Sequence, residues 1–176
     1  MSTGQTLLTV AAFALLSTVL INFYRLFSDT SDDVSGGQDG ILETTLAASY
    51  FELASGLSFD SVSDSSDVGL TDINLMTAPA SLGPETAGED SIKDFNDFDD
   101  FNGFRIEKAA GRTGRKYTAQ FRVYYVDPTR LGTALSVRSE TKRMDVRIWR
   151  SFPPPPSGTR LDTLKLSNVM GYFHFD

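Results

Sequence analysis

The chain has no cysteine and a single histidine, His174, in 176 residues. Without thiols there is no disulfide framework, no thiolate nucleophile and no thiolate metal site. The lone histidine has no Ser or Cys elbow and no second metal ligand to work with, which argues against a general base. Glycine-rich phosphate loops, paired-histidine zinc strings and nucleophile elbows are missing as well. The chain is therefore read as a non-enzyme that takes no cofactor. Charge is also scarce in places. Residues 1–24 contain no Asp, Glu, Lys or Arg, and residues 28–100 hold one base, Lys93, against 17 acids.

What fills the charge-free start is an apolar run at residues 5–24, closed by Arg25. A run of about 20 residues makes about 30 Å of helix, enough to cross a hydrocarbon core. Leu7, Leu8, Val10, Phe13, Leu15, Leu16, Val19, Leu20, Ile21 and Phe23 lie on every side of that helix. Such a pattern suits a segment surrounded by apolar neighbours, either lipid or copies of itself. A cleaved secretory signal would need a basic leader and a small-residue cleavage site, and neither is present. Residues 1–27 are accordingly expected to be a hydrophobic anchor or filament-core helix. Residues 28–40 are acidic and include Gly36 and Gly37, so a linker that breaks the helix is expected there.

Residues 41–176 read as an α+β head. A helical period returns from Ile41, with Leu42, Leu46, Ala47, Tyr50, Leu53, Ala54 and Leu57 on one face and Glu43 and Glu52 opposite. Residues 61–89 are rich in Ser, Asp, Gly, Thr and Pro and predict a long irregular connection. Alternation then appears in residues 104–109, in Tyr117, Ala119, Phe121, Val123 and Tyr125, in Met144, Val146 and Ile148, and in residues 161–175. Four antiparallel strands packed on a preceding helix are the simplest arrangement of these segments. The second half of the chain is basic, with 14 bases against 6 acids in residues 101–176. An acidic and a basic half suggest complementary faces within or between subunits, with Arg112, Arg115 and Lys116 placed to reach a neighbour. Bases alternating along strands in an acidic chain argue against nucleic acid as a partner.

One short segment concentrates hard oxygen ligands: Asp94, Asp97, Asp99 and Asp100. These are candidate calcium ligands, but their spacing does not match the EF-hand loop, whose twelfth position counted from Asp97 is Lys108. Phe95, Phe98, Phe101 and Phe104 recur every three residues through the same stretch. A short helical turn would bury the rings and expose the acids. That packed, metal-free turn is the expectation.

Taken in order, the apolar helix, amphipathic helix, irregular acidic loop and antiparallel sheet resemble the type IV pilin and pseudopilin superfamily. Gly4-Gln5-Thr6-Leu7-Leu8 resembles the prepilin leader junction, and Asp97-Phe98-Asp99-Asp100-Phe101-Asn102-Gly103-Phe104 is similar to an acidic element that often precedes the first strand in such proteins. The resemblance implies leader cleavage between Gly4 and Gln5 and an inner-membrane precursor. It further implies a structural subunit that polymerises through its N-terminal helix into a cell-surface filament, with copies of itself and an assembly machinery as partners. A minor pseudopilin of a secretion system is the nearest alternative. A monomeric single-pass protein with a binding domain is a second one from a different class.

Overall fold

One helix carries nearly a third of the chain: α1 runs without interruption from Thr3 to Ser55. The break expected at residues 28–40 is therefore not observed, and the amphipathic helix expected from residue 41 is the continuation of α1. Three glycines in that stretch lower helix propensity by about 1 kcal/mol each. Yet it contains no proline to remove a ladder hydrogen bond. Propagating a helix already formed on either side is easier than nucleating a new one, so the segment stays helical. The computed structural model describes residues 3–64, 72–85, 88–110, 114–154 and 162–172.

The chain divides into two compact units, Met1–Ile41 and Leu42–Asp176. In the first, residues 3–41 are the N-terminal part of α1, and their large apolar side chains are exposed all round. It contains the one segment among the described residues that is long and apolar enough to cross a membrane.

The second unit packs the rest of α1 against a five-stranded antiparallel sheet. Strands β1 (Arg105–Ala109), β2 (Lys116–Asp127), β4 (Thr141–Phe152) and β5 (Thr163–Gly171) lie side by side in the order β1-β2-β4-β5. The expectation of four strands missed β3 (Arg130–Ala134), which folds back on the end of β2. All of its residues are exposed, so it carries no apolar alternation to read. The turn before it is pinned by Asp127, whose carboxylate accepts from the Thr129 amide at 2.7 Å and hydroxyl at 2.6 Å.

The core forms where the inward residues of β2 and β4 meet α1. Tyr117, Ala119, Phe121, Val123, Met144, Val146 and Ile148 are buried against Ala47, Tyr50 and Ala54. Tyr50 meets Phe121 edge-on with ring centroids 5.1 Å apart. The buried face of α1 is rotated from the expected one. Glu43, Ala47, Tyr50 and Ala54 are buried, whereas Leu53 is half exposed and Ile41 more so. Alanine at two of these positions lets the helix backbone come close to the sheet, which leucine would prevent.

Candidate functional site

The second unit holds an unusual interior of charge. Asp60, Asp97, Asp99, Asp100 and Lys142 are each completely buried. Three separate stretches of chain bring them together, and the local sequence explains each placement.

Lys142 sits at the start of β4, two residues before Met144, and strand alternation turns its side chain inward with Met144, Val146 and Ile148. Its ammonium donates to the Phe59 carbonyl at 2.7 Å, to Asp60 Oδ2 at 2.9 Å and to Asp99 Oδ1. These three bonds use all of its donors. The Phe59 ring lies beneath it with the centroid 4.7 Å away, and the Tyr125 ring at 5.4 Å.

Asp60 follows the end of α1 and accepts from the Thr77 amide at 3.0 Å and the Thr77 hydroxyl at 3.2 Å. The Tyr125 hydroxyl closes this side by donating to the Thr77 carbonyl at 2.8 Å. Burial works against the Asp60 carboxylate, but the Lys142 charge and these hydrogen bonds outweigh it and hold its pKa below the usual Asp range.

The remaining acids belong to the 3-10 turn Phe98–Phe101 and its cap. Asp97 Oδ1 accepts from the Asp99 amide at 2.8 Å and the Asp100 amide at 3.2 Å. Asp100 Oδ2 reciprocates by accepting from the Asp97 amide at 3.2 Å and the Asn96 amide at 2.8 Å. This is a capping box, and it spends one oxygen of each carboxylate on the backbone. The other two, Asp97 Oδ2 and Asp100 Oδ1, are buried without a hydrogen-bond partner among the described residues.

Two glutamates from the preceding connection complete the cluster. Exposed Glu85 accepts from the Ser61 hydroxyl at 3.0 Å, and Glu89 accepts from the Glu85 amide at 2.9 Å and from Asn96 Nδ2 at 2.8 Å. Carboxylate oxygens of Glu85, Asp97 and Asp99 lie within 4.8 Å of one another, as do those of Glu85, Glu89 and Asp100. Crowding on this scale penalises ionisation. Burial, followed by the charges of Asp99, Asp100 and Glu85, raises the Asp97 pKa to about 8. Burial likewise pushes Asp99, Asp100 and Glu85 upward.

The expected phenylalanine turn exists at Phe98–Phe101; Phe95, Phe98 and Phe101 are buried, while Phe104, the fourth ring of the period, is only half-buried. Its acids are not exposed, however. Asp97, Asp99 and Asp100 point inward because capping and Lys142 both draw carboxylates into the interior, and only Asp94 stays in water. Glu85, Glu89, Asp60 and Lys142 escaped the sequence reading. The parity of β4 carried a signal for Lys142, since the alternation of residues 144, 146 and 148 extends back to 142.

Of the other residues singled out, Leu7, Leu8, Val10, Phe13, Leu15, Leu16, Val19, Leu20, Ile21 and Phe23 are all exposed on α1, and Gly4 and Gln5 are helical. Lys116 is paired with Glu107 at 2.9 Å on the sheet surface, and Arg115 is half-buried. Arg112 and His174 lie outside the described residues.

Compared with known proteins, the chain matches no family model, no curated protein and no solved structure. A long apolar N-terminal helix followed by an antiparallel sheet is compatible with a pilin-like fold.

Proposed function

We propose that this protein is a structural subunit of a pilus-like filament, held in a membrane by α1 before assembly and polymerised through the same helix afterwards. The observation that carries this reading is the exposure of the first unit. Leu7 is 68 % and Leu8 75 % exposed, and the apolar window of the helix has no buried residue. Large apolar side chains contribute about 1.5–3 kcal/mol each when taken out of water. A helix apolar on every side cannot satisfy that by lying on one surface; it needs apolar neighbours all round. A bilayer supplies them to a monomer, and a bundle of identical helices supplies them to a polymer, less the entropy lost on association. The α+β unit, with its charged surface, stays in water in either state.

A second reading rests on the same helix. It is long and apolar enough to span a membrane as a permanent anchor for a monomeric head. Negative-stain microscopy of material sheared from expressing cells separates the two. Filaments that contain the chain support the first reading. A chain that remains wholly in the membrane fraction as a monomer overturns it in favour of the second.

A further inference from the structure

We propose that the acidic cluster of the second unit is a binding site for one divalent cation of the calcium class, held by the carboxylates of Glu85, Asp97 and Asp99. Asp100 and Glu89 would stand beside it. The inference concerns the second unit alone and does not depend on how α1 is used.

Three observations converge on it. The first is geometry. An ion with oxygen ligands at about 2.4 Å spans about 4.8 Å between opposite ligands. The carboxylate oxygens of Glu85, Asp97 and Asp99 fall within 4.8 Å of each other, and those of Glu85, Glu89 and Asp100 form a second group of the same size sharing Glu85.

The second is the pair of unmatched atoms. Asp97 is fully buried, and its Oδ2 has no hydrogen-bond donor among the described residues, while Asp100 Oδ1 is in the same position. A buried acceptor without a donor is costly, and a cation bound there would supply the contact that the described residues do not. The positions of Asp97 and Asp100 are fixed by the capping box through their opposite oxygens, so the free oxygens are already oriented.

The third is charge. Asp60 and Asp99 bind Lys142, the one fully buried base among the described residues, while Glu85, Glu89, Asp97 and Asp100 crowd together beside them without a bond to it. Lys142 gives its hydrogen bonds to Asp60, Asp99 and a carbonyl, and none to Asp97 or Asp100. A second positive charge on the far side of Asp99 would complement what the lysine leaves over.

The ligand chemistry selects the ion. Every donor is a hard carboxylate oxygen, which favours calcium or magnesium over zinc or copper. Glu85 is exposed, which gives the ion a way in and leaves room for water to complete the shell. Irregular carboxylate geometry suits calcium, which accepts six to eight loosely arranged oxygens, better than magnesium, which demands a near-ideal octahedron.

The test is calorimetric titration of the full-length chain in detergent with calcium chloride, then with magnesium chloride, alongside thermal unfolding in millimolar calcium or chelator. The expected result is one calcium per chain, weaker binding of magnesium, and a Tm higher by roughly 5–10 °C with calcium. Asp97→Asn should lower calcium affinity at least about tenfold and abolish the Tm rise while keeping the far-UV circular dichroism. Glu85→Gln, at an exposed position, should weaken calcium binding and shrink the calcium-induced Tm rise relative to its own Tm in chelator. No saturable calcium binding to the wild type, or an equal Tm rise in wild type and both variants, would overturn the site. In the second case the ion would be acting on the acidic surface at large.

Discussion

The two units of this protein invert the usual partition of side chains in opposite ways. In Met1–Ile41 the apolar residues are outside; in Leu42–Asp176 a set of charged residues is inside. Soluble domains rarely tolerate either arrangement, since apolar surface is driven from water and buried charge must be paired. The inversions differ in what would resolve them. The exposed helix needs a surrounding medium, a demand spread over many side chains with no single decisive atom. The buried cluster is already half resolved by Lys142, and what remains comes down to two oxygens, Asp97 Oδ2 and Asp100 Oδ1. A diffuse deficit points to lipid or to self-association. A localised one points to a small ion.

The comparison is most sharply tested at Lys142. Lys142→Met keeps most of the volume but leaves Asp60 and Asp99 buried without their shared cation. A loss of about 3–5 kcal/mol is expected in urea unfolding of the full chain in detergent. A loss below about 1 kcal/mol would mean that the interior is not held by charge, and the contrast between the units would collapse. Next comes the other unit. Leu15→Asp places a carboxylate mid-way along the apolar run, where insertion in a membrane costs about 2.5–3.5 kcal/mol. Membrane retention and any filament yield should fall together, while unfolding of the second unit stays unchanged. Wild-type levels of both would show that the helix is not surrounded by apolar neighbours.

A subtler effect lies in pH. Because burial and like charges raise the Asp97 pKa to about 8, the folded state keeps a proton that the unfolded chain releases near pH 4. Stability from this group is complete below the ordinary Asp range and is lost as pH rises towards 8. Asp60 works in reverse: its lowered pKa gives stability above the ordinary Asp range that disappears as pH falls below it. In chelator, the urea midpoint of the second unit should therefore decline between about pH 5 and pH 8 and level off beyond. A flat midpoint across that window would place the buried carboxyls in the ionised form.

The smallest expected effect concerns the stretch where sequence and structure disagreed. Gly36 and Gly37 lie within α1, and an added Cβ at either meets no atom within 4 Å. Gly36→Ala and Gly37→Ala should each stabilise the helix by about 1 kcal/mol. Slower amide exchange at residues 28–40 would report it, and unchanged exchange would mean that local propensity does not limit this segment.

What could be read in advance followed from the range of the interactions. The apolar run and the inward alternation of β2 and β4 are local patterns, repeated over many residues, and they survived intact. The three-residue phenylalanine period held for Phe95, Phe98 and Phe101, though Phe104 is only half-buried. The linker was misjudged because glycine content weighs against a helix only by propensity, and propensity yields to propagation from both sides. The acidic cluster was illegible for a different reason. Asp99 lies 43 residues and Asp60 82 residues from the lysine that binds them, and no periodicity spans such distances. In residues 94–100 the rings announced their burial through spacing, but nothing local stated that the carboxylates between them would be drawn inward too.

The long span closed by Lys142 also bears on the order of synthesis. A growing chain releases Asp60 first, then Asp99, and only later the lysine that binds both. Until residue 142 is made, these carboxylates repel one another and have no common counter-charge. Closing so long a loop also carries an entropic cost that earlier contacts must first offset. The interior of the second unit therefore cannot be completed before β4, which carries Lys142, has been made.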